Sequence, residues 1–465
     1  MLTRRSFLAS AAALTLPRPA FAATPALTVA SRQIEVLGRA ATVYGITNAA
    51  GGHGFFAREG DRFTGTVLNR SGTDLVLHWH GQVRAPAVQD RTRPGGAMQA
   101  DGSAVAYDFA LTPGTHWMHS HSLTEQQLLA APMVTVEADA TTPEAVVMLH
   151  DFAFRSPAEI LAELGASGTH DMAAMGTGAD HDMSGMAQPA QTLPAQTLPG
   201  MSHANDVSYD AFLANDRTLA DPQIIQVEPG PFRLRLINGA TATAFWIDTG
   251  LPTQVIATDG SPCRPQIGQP LTGRHFPIAQ GQRLDLLVTI PPVGGAFPIL
   301  AQVEAARMRT GVILATRGAR VTRVADLAEA DAAPVDLTLD AALAALRPLP
   351  DRVAETLHVT LGMQPGYVWT MNDGAPLRAA LGARVEIMFM NPTTMMHPMH
   401  LHGHHFQVVD VGRGRFYGPM RDTVIVPPGG MVTVAVDLDK AGEWFLHCHH
   451  LYHMAAGMMT TLQVA

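Results

Sequence analysis

Three stretches of this 465-residue chain repeat one design. Gly60 to Asn69 (GDRFTGTVLN), Gly230 to Asn238 (GPFRLRLIN) and Gly382 to Asn391 (GARVEIMFMN) each run from a turn glycine through an alternating strand to an asparagine. Side chains on a strand alternate with a period of two, so each stretch reads as a β-strand with one face buried. Three equivalent strands imply three equivalent domains, and the length agrees at about 150 residues per domain. The 33 prolines and 42 glycines punctuate short apolar alternations, which points to all-β modules. Leu339 to Leu346, stopped by Pro348, is the best helix candidate, and LAEL near Leu161 is a weaker one.

Composition sets the boundaries. ADATTPEA around Thr141 separates the first two domains, and an acidic stretch from Asp326 leads into the third. The expected order is a leader over 1–22, then domains over 23–140, 141–325 and 326–465. The leader joins Arg4 and Arg5 to an apolar run and to Ala20-Phe21-Ala22, the pattern of a twin-arginine export signal. Cleavage after Ala22 leaves a chain with no apolar stretch of the roughly 20 residues a membrane span needs, so a soluble periplasmic protein is expected. Loss of three arginines takes the formal charge from -9 to -12, which argues against nucleic acid or anionic membrane as partner and suits a cationic substrate.

The repeats differ in what they carry. Nine residues after the asparagine the first copy has His78 of HWHG and the third has His400 of HLHGH, whereas the middle copy has Ile247. Five residues after a glycine near the end of each copy stand His119 and His121 of GTHWMHSH and His447 and His449 of GEWFLHCH. The middle copy, GAFPILAQ, has no histidine there. Residues two apart on a strand share a face, so the outer domains offer eight imidazoles that could converge, enough for three metal ions.

The last of these motifs continues as HCHHLYHMAAGMM from His447 to Met459. Two imidazoles, one thiolate and a weak thioether make a blue-copper electron-transfer site, and Cys448, His453 and Met458 supply three of those four ligands. A distant histidine must be the fourth. Alternation turns His447 and His449 away from Cys448, so one tripeptide bridges two metal centres. The other cysteine, Cys263, is then left without a disulfide partner.

HWHG, HSH, HPMHLHGH and HCHHLYHMAAGM resemble the motifs of the multicopper oxidases, three-domain enzymes that include laccases and periplasmic cuprous oxidases. The resemblance covers nearly the whole mature chain and implies three consecutive cupredoxin-like Greek-key β-barrels. It implies four copper ions: a type 1 copper on His397, Cys448, His453 and axial Met458; a type 2 copper on His78 and His400; and a type 3 pair. The pair uses His80, His119 and His449 on one ion, and His121, His402 and His447 on the other. Family members carry an acidic residue near the trinuclear site about where Asp90 falls; Asp90 is read either as a proton donor or as a solvated loop aspartate. Where many laccases have a glutamate after the last histidine ligand this chain has Met454, a feature similar to the copper-resistance branch.

Between Thr169 and His203 lies a low-complexity insert rich in methionine and histidine. It lacks the aliphatic residues to pack as a domain. Thioethers select Cu(I), which makes Met172, Met175, His181, Met183, Met186, Met201 and His203, with His170, candidate substrate ligands. The other reading is a Gly/Pro/Ala linker that happens to contain methionine. The expected reaction couples four one-electron oxidations to the reduction of dioxygen to water, by a monomer, with Cu(I) as reductant in copper tolerance. A laccase-like oxidation of phenols or other small organic reductants is the alternative. A copper-storage or scaffold protein would not need all eight histidines.

Overall fold

The computed structural model describes residues 26–90, 92, 97–174, 204–266 and 272–465, and backbone only over 166–174 and at Thr272. The expected export signal over 1–22 and the candidate ligands Met175, His181, Met183, Met186, Met201 and His203 lie outside the described residues. His170 and Met172 fall in the backbone-only end of the helix Pro157–Ala174.

Strands dominate, and their topology repeats as the sequence does. Arg62–Arg70 lies between Leu27–Val36, to which it is parallel, and Ala104–Ala110, to which it is antiparallel. Gly230–Asn238 lies in the same way between Glu144–Phe152 and Arg283–Ile290. Arg384–Met390 lies between Glu355–Gln364 and Met431–Asp437. In the first and last units a second sheet faces this one, and the inward rows of both form a core, Phe63, Trp79 and Met133 in the first and Ile387, Phe406 and Leu446 in the last. The middle unit closes its core with one curled eleven-stranded sheet around Leu234, Leu286 and Val312. In Arg384–Met390, Val385, Ile387 and Phe389 are fully buried and Arg384, Met388 and Met390 only partly so, while Glu386 on their face is also buried.

The recurrent asparagine has one task in all three units. Asn69, Asn238 and Asn391 are buried, and each accepts a backbone N–H from the residue two further on through its side-chain oxygen. Each also donates its amide to backbone carbonyls of the following loop and of a neighbouring strand end: Thr73 and Gln99, Thr243 and Ile278, Met395 and Val426. An asparagine can satisfy both kinds of backbone group in a tight loop with one short side chain. The loops that it ties lead into Leu77–His80, Phe245–Thr258 and His397–Leu401.

Two helix expectations change. The LAEL segment belongs to the long helix Pro157–Ala174, whereas Thr338–Ala342 makes a single turn before Leu343–Ala345 becomes a strand on Ser261–Pro265 of the middle unit. Leu339 and Leu343 are drawn into the middle core, and that burial outweighs local helix preference. Cys263, in the same place, is buried and free. Arg233 and Arg235 form an inter-unit polar face: both pair with Glu137 of the first unit and with Asp285, and Arg235, fully buried, also reaches Glu144 and Thr115. Among the described residues no helix is long and apolar enough to cross a membrane.

Candidate metal centres

In the first unit His78 lies directly across an antiparallel pair from His119, and in the third His400 lies across from His447. The two pairs meet between the units. There the ligand atoms of His80, His119 and His449 come within 4.8 Å of one another, as do those of His121, His402 and His447 and those of His78, His80 and His400. Strand alternation sends Cys448 the other way, to His397 and His453. All eight histidines of the first cluster are thus brought together, and the tripeptide His447-Cys448-His449 contributes to three groupings at once.

The outward nitrogen of most of these rings faces an acceptor. His78 Nδ1 lies 2.9 Å from Asp90 Oδ2, and His402 Nδ1 lies 3.2 Å from the same oxygen. His400 Nδ1 meets the Asp422 carbonyl at 2.8 Å, His447 Nδ1 the Cys448 carbonyl at 2.9 Å, and His119 Nδ1 the Glu125 carboxylate at 3.0 Å. His80 is turned round, with Nε2 at 3.1 Å from Asp422 Oδ1. Burial first, and the crowding of neighbouring imidazoles second, holds His78, His121 and His449 well below the usual histidine range. His447 falls to about 4, chiefly through burial. Neutral rings have one proton each, and the acceptors fix it on the outer nitrogen.

Bare lone pairs therefore face inward. His78 Nε2 and His400 Nε2 are 3.2 Å apart, His402 Nε2 and His447 Nε2 3.0 Å, His121 Nε2 and His447 Nε2 3.2 Å, and His80 Nδ1 and His119 Nε2 3.4 Å. The Nε2 of His449 is buried without any hydrogen-bond partner. Converging lone pairs in a buried pocket repel unless cations lie between them, and imidazole suits copper. The donor set fits the metal.

The second grouping has softer chemistry. His397 Nδ1 and His453 Nδ1 are 3.2 Å apart, and Cys448 Sγ lies 3.7 and 3.8 Å from them. Their outer nitrogens are again occupied, His397 Nε2 by the Thr393 hydroxyl at 2.8 Å and His453 Nε2 by Asp206 at 3.3 Å. Trp369 stacks on the His453 ring at 4.0 Å. Met458 is fully buried in the same core cluster as Cys448; its N–H donates to the His453 carbonyl and its carbonyl accepts from Cys448 N. Two imidazoles, a thiolate and a buried thioether fit a blue-copper ion.

Four orienting carboxylates surround these rings, and only Asp90 stands out in the sequence. It is buried, so it is no solvated loop residue, and Thr92 donates to it at 2.9 Å. Asp422, Glu125 and Asp206 carry no spacing that points to their histidines; Asp206 is 247 positions from His453. Burial alone would raise the Asp206 carboxyl, but the His450 and His453 rings beside it hold it well below the usual carboxylate range. His404 donates to the His402 carbonyl, His405 lies 3.4 Å from Asp422, and His450 lies 3.0 Å from Asp206. His116 packs beside the cluster rather than in it, with Met118 in the first core. Away from the cluster, His150 is buried, His53 is half-buried and His275 is exposed, and His358 projects from Glu355–Gln364.

A three-unit β-fold with one soft site and one eight-histidine site defines a copper-dependent redox protein. Sequence models of the multicopper oxidases match residues 28–140 and 348–465. The chain is 31% identical over 461 residues to the multicopper oxidase MmcO of Mycobacterium tuberculosis, covering 94% of this chain and 86% of that one. It is 27% identical to a copper resistance protein A homolog of Pseudomonas syringae pv. tomato, covering 94% and 92%. Its fold is similar to that of Fet3p, a multicopper oxidase that functions in iron import, at a TM-score of 0.72 and 17% identity over 94% and 89% of the two chains. The chain belongs to the multicopper oxidase family: it is a copper-containing oxidoreductase that uses oxygen and a reductant.

Proposed function

We propose that this multicopper oxidase takes electrons from Cu(I), releasing Cu(II), and returns them four at a time to dioxygen. The observation that carries the reading is the position of Cys448. Each of its neighbours, His447 and His449, belongs to a different three-histidine group, while Cys448 belongs to the soft site. We assign His397, Cys448, His453 and Met458 to a type 1 copper, His78 and His400 to type 2, and the groups His80, His119, His449 and His121, His402, His447 to the type 3 pair. When bound, these four coppers supply one-electron oxidation at the thiolate site and reduction of dioxygen at the imidazole site.

The chain's own residues then have definite tasks. Asp90, Glu125 and the Asp422 backbone fix which ring nitrogen is free to bind. Asp90, whose Oδ2 accepts from both His78 Nδ1 and His402 Nδ1, is the carboxyl group assigned to deliver protons to the imidazole pocket. Thr393 and Asp206 hold the two rings of the soft site from behind. All twelve ligands come from one chain, so a single copy holds a complete set.

Cu(I) as substrate is supported by the thioether-rich insert over 169–203, by the net negative charge, and by the likeness to proteins named for copper resistance. Arg4 and Arg5 in the leader support export to the periplasm. The test is oxygen uptake by the copper-loaded chain with Cu(I), compared with a phenol, before and after deletion of Asp171 to Met201. Loss confined to Cu(I) establishes the proposal; strong phenol oxidation with Cu(I) turnover unaffected makes the enzyme a laccase-like oxidase instead.

A further inference from the structure

The middle unit has Ile247 in its core at the position of His78 and His400, and no histidine in the second motif. It nonetheless forms part of the wall of the eight-histidine pocket. Its turn over Ala279–Arg283 inserts between the outer units. Gly281 has φ +78°, and a Cβ there would come within 2.6 Å of the His449 ring, so the turn packs closely against that imidazole.

Arg283, two residues on, is fully buried and touches all three units. Its two terminal nitrogens donate to the two oxygens of Asp422 at 2.6 Å each, and its Nε donates to the Thr115 carbonyl at 3.1 Å. Asp259 completes the clasp: it accepts the Arg283 backbone N–H at 2.8 Å and the Asp422 N–H at 3.1 Å. Asp422 is then the residue whose carboxylate meets His80 Nε2 and whose carbonyl meets His400 Nδ1. A two-pronged guanidinium–carboxylate pair fixes the carboxylate plane as well as its charge. Partners of this kind behind a ligating histidine set its tautomer and ring direction.

We propose that Arg283 is a positioning residue for the dioxygen-side metal site: it clamps Asp422 so that His80 and His400 present their free nitrogens inward, with Gly281 leaving room for His449. The unit that lost, or never had, ligands is thereby the jaw that closes the pocket. This inference rests on the copper assignment made above.

The experiment uses the full copper-loaded chain and its Arg283→Gln and Arg283→Lys variants, dialysed against a graded copper chelator. Copper per chain, the blue thiolate absorbance of the Cys448 site and the electron paramagnetic resonance signal of imidazole-bound copper are read at each step. The expected result is copper held roughly 10–100-fold more weakly at the histidine cluster with the blue absorbance intact. Lysine, which restores the charge without the fork, should recover only part of that loss. Arg235→Gln removes an equally buried inter-unit arginine that touches no histidine, and both signals should survive in it.

If Arg283→Gln does not fold, Arg283→Lys decides by the same readouts, since it keeps the buried charge but not the two-pronged pair with Asp422. Wild-type copper retention in the variants, or loss of both sites in step, overturns the inference. Failure of the wild-type chain to bind copper at the histidines would instead overturn the assignment beneath it.

Discussion

His400 stands directly across an antiparallel strand pair from His447, in the same register that sets His78 opposite His119 in the first unit. The eight-histidine pocket is therefore one strand-pair device used twice and brought face to face. Its precision comes from the sheet, since ladder hydrogen bonds fix which side chains share a face.

Cys448 is the soft-site ligand whose two chain neighbours, His447 and His449, both belong to the histidine cluster. Replacing it with serine, which cannot supply a thiolate, should abolish the blue absorbance and reduce oxygen uptake to background. Copper at the histidine cluster should stay. Loss of the cluster copper together with the blue site, seen by metal analysis and paramagnetic resonance, would show that the two groupings are not separable.

Asp90 is buried between His78 and His402. Asp90→Asn keeps the size and one acceptor oxygen but removes the acid, so turnover should fall by roughly 10²-fold or more while the blue absorbance is unchanged. Steady-state kinetics beside copper analysis checks this. Unaltered turnover would leave Asp90 as a holder of the two rings and nothing more.

The recurrent asparagine can be tested where no metal confuses the outcome. Asn238→Ala, in the middle unit, strips three hydrogen bonds from a fully buried loop and should cost about 1–3 kcal/mol by denaturant unfolding.

Acid should loosen the joint between the first and middle units. Burial alone would raise the Glu137 carboxyl, but Arg233 and Arg235 beside it hold it down to about 2, from an ordinary 4.5. A carboxylate depressed in the folded state contributes stability above its unfolded value and loses that contribution as the pH falls through the folded one. The window is therefore from about 4.5 down to about 2. Glu137→Gln should flatten the dependence of stability on pH across that range, and thermal unfolding at stepped pH measures it.

Much of this was legible in the sequence for a simple reason. Periods of two residues along a strand and repeats along the chain are written locally, so the all-β class and a shared pocket of eight histidines follow from spacing, whereas the grouping of His80 with His119 and His449 came from the family resemblance. What spacing does not carry is contact made by loops from different units. Asp206 reaches His453 from beyond the methionine-rich insert, and Asp422 reaches His80 across 342 positions. The helix expected over Leu339 to Leu346 stops after one turn for a related reason: its leucines serve the core of the middle unit, which no window of local sequence reports.

The most direct test of the central claim is the ratio of Cu(I) oxidised to dioxygen consumed by the copper-loaded chain, with hydrogen peroxide assayed in the same vessel. The account predicts four cuprous ions for each dioxygen and no peroxide, since water is the only product. A ratio of two with peroxide accumulating, or no uptake with Cu(I) at all, would contradict it.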